Sequence, residues 1–203
     1  MTHAATHHEV SAEDRLRADL YNYLGLMLAR PPEASLLDQT ATLEGDDDTD
    51  LGRAIAALAA RAAETDEISA RREFNALFIG LGRGELLPYA SYYLTGFLNE
   101  KPLATLRRDM RARAIARAPN VFEPEDNIAT LLEVMGGLIV GRFGVPASLD
   151  DQRTFFNRHV APWAGHFFAD LEKAKGADLY APLGTAGRAF VEIEREAFRL
   201  TPG

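Results

Sequence analysis

Apolar residues recur at intervals of three and four positions along nearly the whole chain, which is the spacing of one face of an α-helix. In the first such segment the pattern joins Leu16, Leu20, Tyr23, Leu24, Met27 and Leu28. No two hydrophobic runs alternate with a period of two around a turn dipeptide, so no substantial β-sheet is predicted. With 203 residues and helices of ordinary length, the chain is predicted to form an all-α bundle of about ten helices.

Prolines and small polar residues mark where these helices begin and end. Ser11, with Asp14 three positions later, is predicted to cap the first helix, and Pro31 ends it because proline has no backbone N–H to donate. Pro124 is predicted to open a later and strongly apolar helix, and Ser148 to cap the one that follows. The pattern therefore predicts helices joined by short irregular connections.

The size of the chain and its lack of cysteine limit its domain number, its possible sites and its compartment. Residues 11–203 are predicted to form a single domain, because 47% hydrophobic residues are enough for one core at this length. Residues 1–10 are expected to be a flexible tail, and they lack the basic end and apolar stretch of a signal peptide. The absence of cysteine excludes disulfides and thiolate metal sites. These features, and the lack of an apolar run long enough to insert in a membrane, predict a cytoplasmic protein.

The charge balance excludes one class of partner and favours another. The formal net charge is −8, and the densest acidic run comprises Glu44, Asp46, Asp47, Asp48 and Asp50. Nucleic-acid binding needs clustered Lys and Arg, so no nucleic-acid partner is expected. An acidic protein attracts basic peptides.

A glycine-rich segment, Gly80-Leu81-Gly82-Arg83-Gly84, invites comparison with phosphate-binding loops. A dinucleotide fingerprint needs a third glycine where this chain has Glu85, and it follows a β-strand, whereas the preceding segment is predicted to be helical. No Walker-type lysine follows. The segment is therefore interpreted as a turn that ends a helix.

Histidines give no convincing metal site. His7 and His8 lie in the expected tail, and His159 and His166 are separated by Pro162, so they need not share a helical face. No pair of Glu-x-x-His motifs is present, as a di-iron bundle would require. No metal and no cofactor are expected, and His159 is predicted to pack or to stabilise a helix C-terminus.

Three acidic residues, Glu123, Glu125 and Asp126, are close in sequence. Paired carboxylates can perform acid–base chemistry, which leaves a carboxylate-dependent hydrolase as one alternative. Carboxylates at a helix entrance also cap the helix or interact with its dipole. Ser91 lacks the glycine-flanked elbow of a nucleophilic serine. The chain is therefore predicted not to be an enzyme.

Three longer stretches follow one another in a fixed order. The first is Leu87-Pro88-Tyr89-Ala90-Ser91-Tyr92-Tyr93, with Gly96 and Lys101-Pro102-Leu103 after it. The second is Glu123-Pro124-Glu125-Asp126-Asn127-Ile128, followed by Leu132-Glu133-Val134-Met135. The third comprises Gln152, Phe155, His159, Pro162-Trp163, Phe167 and Tyr180. In this order and spacing they resemble the TorD/DmsD family of twin-arginine redox-enzyme maturation chaperones, over roughly residues 15–196.

The resemblance implies a TorD-like helical fold and a chaperone function. Such a protein binds the twin-arginine signal peptide of a molybdenum- or tungsten-containing oxidoreductase, and holds the apo enzyme for cofactor insertion before export. Some relatives instead assist a nitrate-reductase-type catalytic subunit that is not exported, which stays an alternative here. Relatives can also dimerise by exchanging helical segments, so the resemblance allows a homodimer.

The resemblance also implies a signal-peptide site at the first two stretches. The residues that match are Pro88, Tyr89, Ser91, Tyr92, Glu123, Pro124, Asp126 and Asn127. Glu123 and Asp126 are expected to face the arginines, because guanidinium groups pair with carboxylates. Tyr89 and Tyr92 are expected to supply contact area, unless one of them packs inward. Relatives commonly have His where this chain has Asn127, so no charge change near neutral pH is expected there.

The third stretch is predicted to be structural. Its aromatic residues offer large apolar area to a helical core. The predicted core group comprises Phe155, Phe156, Trp163, Phe167 and Phe168.

Overall fold

The computed structural model describes residues 10–80 and 82–200. Its ten α-helices are α1 (Ala12–Ala29), α2 (Ala34–Ala41), α3 (Asp50–Ala63), α4 (Glu67–Phe74), α5 (Ala90–Thr95), α6 (Lys101–Ala112), α7 (Ile128–Val140), α8 (Leu149–Phe155), α9 (Ala164–Lys173) and α10 (Tyr180–Leu200). Two π-helical turns, Asn75–Ile79 and Phe156–Val160, extend α4 and α8. Over these residues there is no β-strand, only an isolated bridge between Tyr89 and Asn127. The prediction of an all-α bundle of about ten helices is confirmed.

Helix α7 is the most apolar helix of the bundle, and ten of its thirteen residues are buried, whereas Glu133 is exposed. It packs against α1, and two glycines permit the close approach. A Cβ added at Gly25 would lie 3.2 Å from the carbonyl oxygen of Ala129, and one at Gly136 would lie 3.1 Å from that of Ala18. Helix α10 packs against α9 and α3 on another side. None of the described helices is both long and apolar enough to cross a membrane.

The predicted helix starts were right at the serines and wrong at Pro124. Ser11 accepts a hydrogen bond from the backbone N–H of Asp14 at 3.0 Å, and Ser148 makes the corresponding bond at the start of α8. Helix α7 begins at Ile128 instead of at Pro124, and its N-cap is Asn127. Asparagine is among the best N-cap residues, because its side-chain oxygen accepts from a free N–H of the first turn.

The apolar stripe predicted for the first helix is shifted in the structure. Leu16 was expected to face the core, but 71% of its surface is exposed. The buried face is instead centred on Tyr21 and Leu24. Tyr21 was not part of the predicted stripe, and in the structure its hydroxyl donates to the buried carboxylate of Glu194, which Arg17 also contacts through two hydrogen bonds. The expected flexible tail lies outside the described residues, apart from Val10.

The aromatic residues of the third stretch form the core, as predicted. All five have exposed fractions of 1% or less: Phe155, Phe156, Trp163, Phe167 and Phe168. They belong to one cluster of buried residues with members on every helix. That cluster favours the single-domain interpretation, which stays a prediction. His159 is buried beside them, and its Nε2 lies 2.9 Å from the carboxylate of Asp109 on α6.

Candidate functional site

The first two stretches meet at a short antiparallel bridge between segments 88–90 and 126–128. The backbone N–H of Ala90 donates to the carbonyl oxygen of Asp126 at 2.9 Å. The N–H of Ile128 donates to the carbonyl oxygen of Pro88 at 2.8 Å. These bonds join the start of α5 to the start of α7, so residues that are far apart in sequence form one junction.

Asp126 is a buried cap in this junction. Only 1% of its surface is exposed, and its carboxylate accepts the backbone N–H of Ser91 at 2.8 Å. Helix α5 has no side-chain cap of its own, since Tyr89 occupies its N-cap position. A carboxylate at that end satisfies a free N–H and interacts favourably with the helix dipole. In this structure the carboxylate of Asp126 faces α5, and a contact between Asp126 and leader arginines stays a prediction.

Glu123 is the exposed carboxylate of the junction. The hydroxyl of Tyr89 donates to it, and the side-chain amide of Asn127 lies 3.5 Å from the same oxygen. Burial and the neighbouring Glu123 together raise the pKa of Tyr89, so that its phenol stays protonated and keeps donating. Tyr89 thus orients a solvent-accessible carboxylate that can accept further hydrogen bonds from a cation.

Glu125 is already paired with arginines of the chain. Its carboxylate lies 2.7 Å from a guanidinium nitrogen of Arg107 and 3.9 Å from one of Arg117. Burial alone would raise the pKa of Glu125, but the hydrogen bond and charge of Arg107 outweigh burial and lower it. Glu125 therefore stays ionised, and the neighbouring arginines neutralise its charge.

The three carboxylates of the second stretch thus have three separate partners. Glu123 bonds Tyr89, Glu125 bonds Arg107, and Asp126 bonds the backbone of α5. Paired carboxylates in acid–base catalysis must converge on one reacting group. This arrangement does not provide such a pair, and it gives no support to the hydrolase alternative.

The three tyrosines of the first stretch face different surroundings. Tyr93 packs inward, with its ring 5.3 Å from Trp163 and its hydroxyl donating to Asp170 at 2.9 Å. Tyr89 and Tyr92 are partly buried, as Tyr93 is, but neither packs against the core rings of the third stretch. The hydroxyl of Tyr92 accepts from the guanidinium of Arg83 at 2.9 Å, and that group lies 5.4 Å from the ring centroid. The residue that anchors this segment is therefore Tyr93, and Tyr89 and Tyr92 keep accessible surface.

Exposed apolar side chains flank both halves of the junction, and sequence reasoning missed them. Phe122, with 89% of its surface exposed, immediately precedes Glu123. Phe97 and Leu98 are exposed just after α5. The available signal was an aromatic residue between Pro119 and Pro124, in a segment with no helical period. Large exposed apolar residues around a polar cluster are typical of binding surfaces.

The eight predicted contact residues divide into two groups of four. Those with accessible surface are Tyr89, Tyr92, Glu123 and Pro124. Those that are buried are Pro88, Ser91, Asp126 and Asn127. The buried group holds the junction together through backbone and capping bonds, and the accessible group forms its outer surface. A direct peptide contact stays a prediction for all eight residues, and only the accessible group could make it without a rearrangement.

The glycine-rich segment next to the junction has a structural role. Gly80 and Gly82 have positive φ angles of 63° and 91°, which favour glycine. The carboxylate of Glu85, the residue that breaks the dinucleotide pattern, accepts the backbone N–H groups of Lys175 and Gly176 at 2.7 and 3.0 Å. The segment thus ends one helix and ties down the α9–α10 connection. In the described part of the chain no three His, Asp or Glu side chains converge as metal ligands.

Comparison with known proteins gives the family. The model of the family described as nitrate reductase delta subunit matches residues 44–169, more than half of the chain. The chain belongs to this family. The predicted TorD/DmsD membership is confirmed by curated relatives that carry the name chaperone protein TorD.

Two of these relatives cover most of the chain. The TorD chaperone of Aliivibrio fischeri is 28% identical over 179 residues, which are 78% of this chain and 83% of the relative. The TorD chaperone of Vibrio atlanticus is 25% identical over 210 residues, which are 93% of this chain and 97% of the relative. The members named here are maturation chaperones and not catalysts, the class predicted for this protein.

A solved structure shows the same fold. The crystal structure of a protein from Archaeoglobus fulgidus, named for redox enzyme maturation, superposes with a TM-score of 0.56. The match covers 87% of this chain and 94% of the other at 20% identity. At that identity the likeness establishes the fold.

Proposed function

We propose that this maturation chaperone acts in the cytoplasm and binds the twin-arginine leader of a molybdenum- or tungsten-containing oxidoreductase. The chaperone then holds the apo enzyme until its cofactor has been inserted, and releases it for export. The outer surface of the junction is the proposed leader site. Glu123 carries this proposal, because it is an exposed carboxylate held in place by a tyrosine.

The chemistry of a twin-arginine leader matches this surface in two respects. The guanidinium of an arginine can form two parallel hydrogen bonds with a carboxylate, and it can also stack on an aromatic ring. Glu123 offers the carboxylate, and Tyr92 offers a partly exposed ring. The apolar stretch of the leader finds exposed partners in Phe97 and Phe122. The net charge of −8 adds a long-range attraction for a basic peptide.

Calorimetric titration with leader peptides tests the proposal. Leaders of the molybdenum and tungsten enzymes from the same organism are titrated, each beside a control in which two lysines replace the arginines. One leader is expected to bind tightly and its lysine control more weakly. The Glu123→Gln variant is expected to bind the leader about tenfold more weakly, since a charge-assisted hydrogen bond contributes roughly 1.5–3 kcal/mol.

A matched control separates the site from the overall charge. Glu196 is an exposed carboxylate on α10 that pairs with Arg199, so Glu196→Gln removes the same charge at a distant place. This variant is expected to bind the leader as the wild type does. If no leader binds the wild type, or if both variants lose the same affinity, the proposed site is wrong.

A second candidate function follows from the description of the family. Because that family is described as nitrate reductase delta subunit, the client can instead be a nitrate-reductase-type catalytic subunit that is not exported. Isolation of the client from native cells distinguishes the two functions. A client with a twin-arginine signal supports the first, and a client without one supports the second.

A further inference from the structure

Arg83 occupies one face of a tyrosine in the proposed leader site. Its guanidinium lies 5.4 Å from the ring centroid of Tyr92 and donates to the tyrosine hydroxyl at 2.9 Å. Arg83 forms no ion pair with any residue in the described part of the chain. The tyrosine is therefore its principal partner, and its removal leaves no carboxylate unpaired.

The backbone on both sides holds Arg83 in this position. A Cβ at Gly80 would overlap with the carbonyl oxygen of Arg83, so the turn closes tightly before it. After Arg83, the backbone N–H of Glu85 donates to the carbonyl oxygen of Ala76 at 3.2 Å, and that of Leu86 donates to the carbonyl oxygen of Leu77 at 2.8 Å. The Glu85 carboxylate is fixed to the α9–α10 connection as well. The glycine-rich segment thus presents Arg83 to Tyr92 from an anchored backbone.

The contact between Arg83 and Tyr92 is the one that a leader arginine would make. A guanidinium above a tyrosine ring is attracted by the negative face of the ring, and the planar group also stacks on it. Two guanidinium groups cannot occupy the same face, and their like charges repel. An arriving arginine therefore has to displace Arg83 before it gains this contact on the same face of the ring.

We propose that Arg83 is an affinity-limiting residue of the leader site, which occupies a face of Tyr92 until a peptide arginine displaces it. This inference rests on the proposed function. The Glu123 carboxylate is accessible from the start, so one arginine of a leader can pair there at once. At Tyr92 the second arginine gains binding free energy equal only to the difference between its own contact with the ring and the contact that Arg83 loses. Arg83 thereby weakens the binding of peptides that offer a guanidinium to Tyr92.

The Arg83→Gln variant tests the inference. It is expected to bind the twin-arginine leader about fivefold more tightly than the wild type, which corresponds to the strength of an exposed cation–π contact. The twin-lysine leader is expected to gain less, because an ammonium group does not stack on the ring. The control Arg53→Gln removes the same charge from α3, where Arg53 pairs with Asp50, and is expected to leave both affinities unchanged. Equal or weaker leader binding by Arg83→Gln would overturn the inference.

A second probe makes failure of the inference distinguishable from failure of the proposed function. The amidated dipeptide Arg-Arg, with Lys-Lys as its control, is titrated into the wild type, Arg83→Gln and Arg53→Gln and followed by NMR. Tighter binding of Arg-Arg to Arg83→Gln alone, with shifts at Tyr92, supports the inference even if no leader binds the wild type. The same Arg-Arg affinity in all three proteins contradicts it, even if the wild type binds a leader.

Discussion

Two aromatic regions of this protein differ in how far they are buried. Phe155, Trp163 and Phe167 of the third stretch are fully buried in the core, whereas Tyr89 and Tyr92 of the first stretch stay partly exposed beside Glu123. Phe155 and Phe167 of the core group lie on α8 and α9, and Trp163 is the N-cap residue of α9. The tyrosines lie in a segment interrupted by proline and glycine, where polar partners satisfy their hydroxyls. Aromatic content alone therefore does not indicate a core: Tyr89 and Trp163 are both helix N-cap residues, and only Trp163 is fully buried.

Tyr93 connects the two regions. Its ring packs beside Trp163, 5.3 Å away, while its hydroxyl donates to Asp170 at 2.9 Å. Burial and this carboxylate together raise the pKa of Tyr93, so the phenol stays a donor. The residue thereby fixes α5 to the core, next to the tyrosine that stays accessible.

The largest expected contrast is between two phenylalanines. Phe167→Ala removes a fully buried ring and is expected to lower the free energy of unfolding by about 3–5 kcal/mol. Phe122→Ala removes an exposed ring and is expected to change it by less than about 0.5 kcal/mol, while weakening leader binding. Urea denaturation followed by circular dichroism measures both. Similar losses of stability in the two variants would contradict the division into core and surface.

A smaller effect is expected at Asp126, and its two variants distinguish a cap from a direct arginine contact. Asp126→Ala leaves the N–H of Ser91 unpaired and is expected to cost about 1–3 kcal/mol of stability, with weaker leader binding as α5 loosens. Asp126→Asn keeps an acceptor oxygen and is expected to retain most of the stability and the leader affinity. Denaturation and calorimetry are measured on both variants. If Asp126→Asn loses as much leader affinity as Glu123→Gln, the Asp126 carboxylate contacts the peptide, and capping of α5 alone does not explain its effect.

The smallest effect is expected at the connecting residue. Tyr93→Phe keeps the ring packed but loses the hydrogen bond to Asp170, and is expected to lower the free energy of unfolding by about 1 kcal/mol. Leader affinity is expected to stay unchanged. A double-mutant cycle with Asp170→Ala measures the coupling between the two side chains. Additive effects would show that the hydrogen bond contributes nothing to stability.

Features that depend on neighbours in the chain could be predicted from the sequence. The helical period, the caps at Ser11 and Ser148 and the buried aromatic group at Trp163 all follow from residues within a few positions of each other. The first two stretches were also predicted to form a site, through their resemblance to a family, and that site stays a prediction. Helix formation and capping are local interactions, which is why a single sequence indicates them.

Features that depend on distant partners were decided only by the tertiary structure. The sequence by itself determined an all-helical chain with a polar, tyrosine-containing segment, but it did not indicate that Asp126 caps α5 by accepting the N–H of Ser91, 35 residues earlier. Nor did it place Arg83 on Tyr92 or the N-cap of α7 at Asn127. Each of these contacts exists because α5 and α7 are brought together by a bridge and by packing around the core. Where several partners of similar chemistry exist, a side chain bonds the one that the fold brings within hydrogen-bond distance.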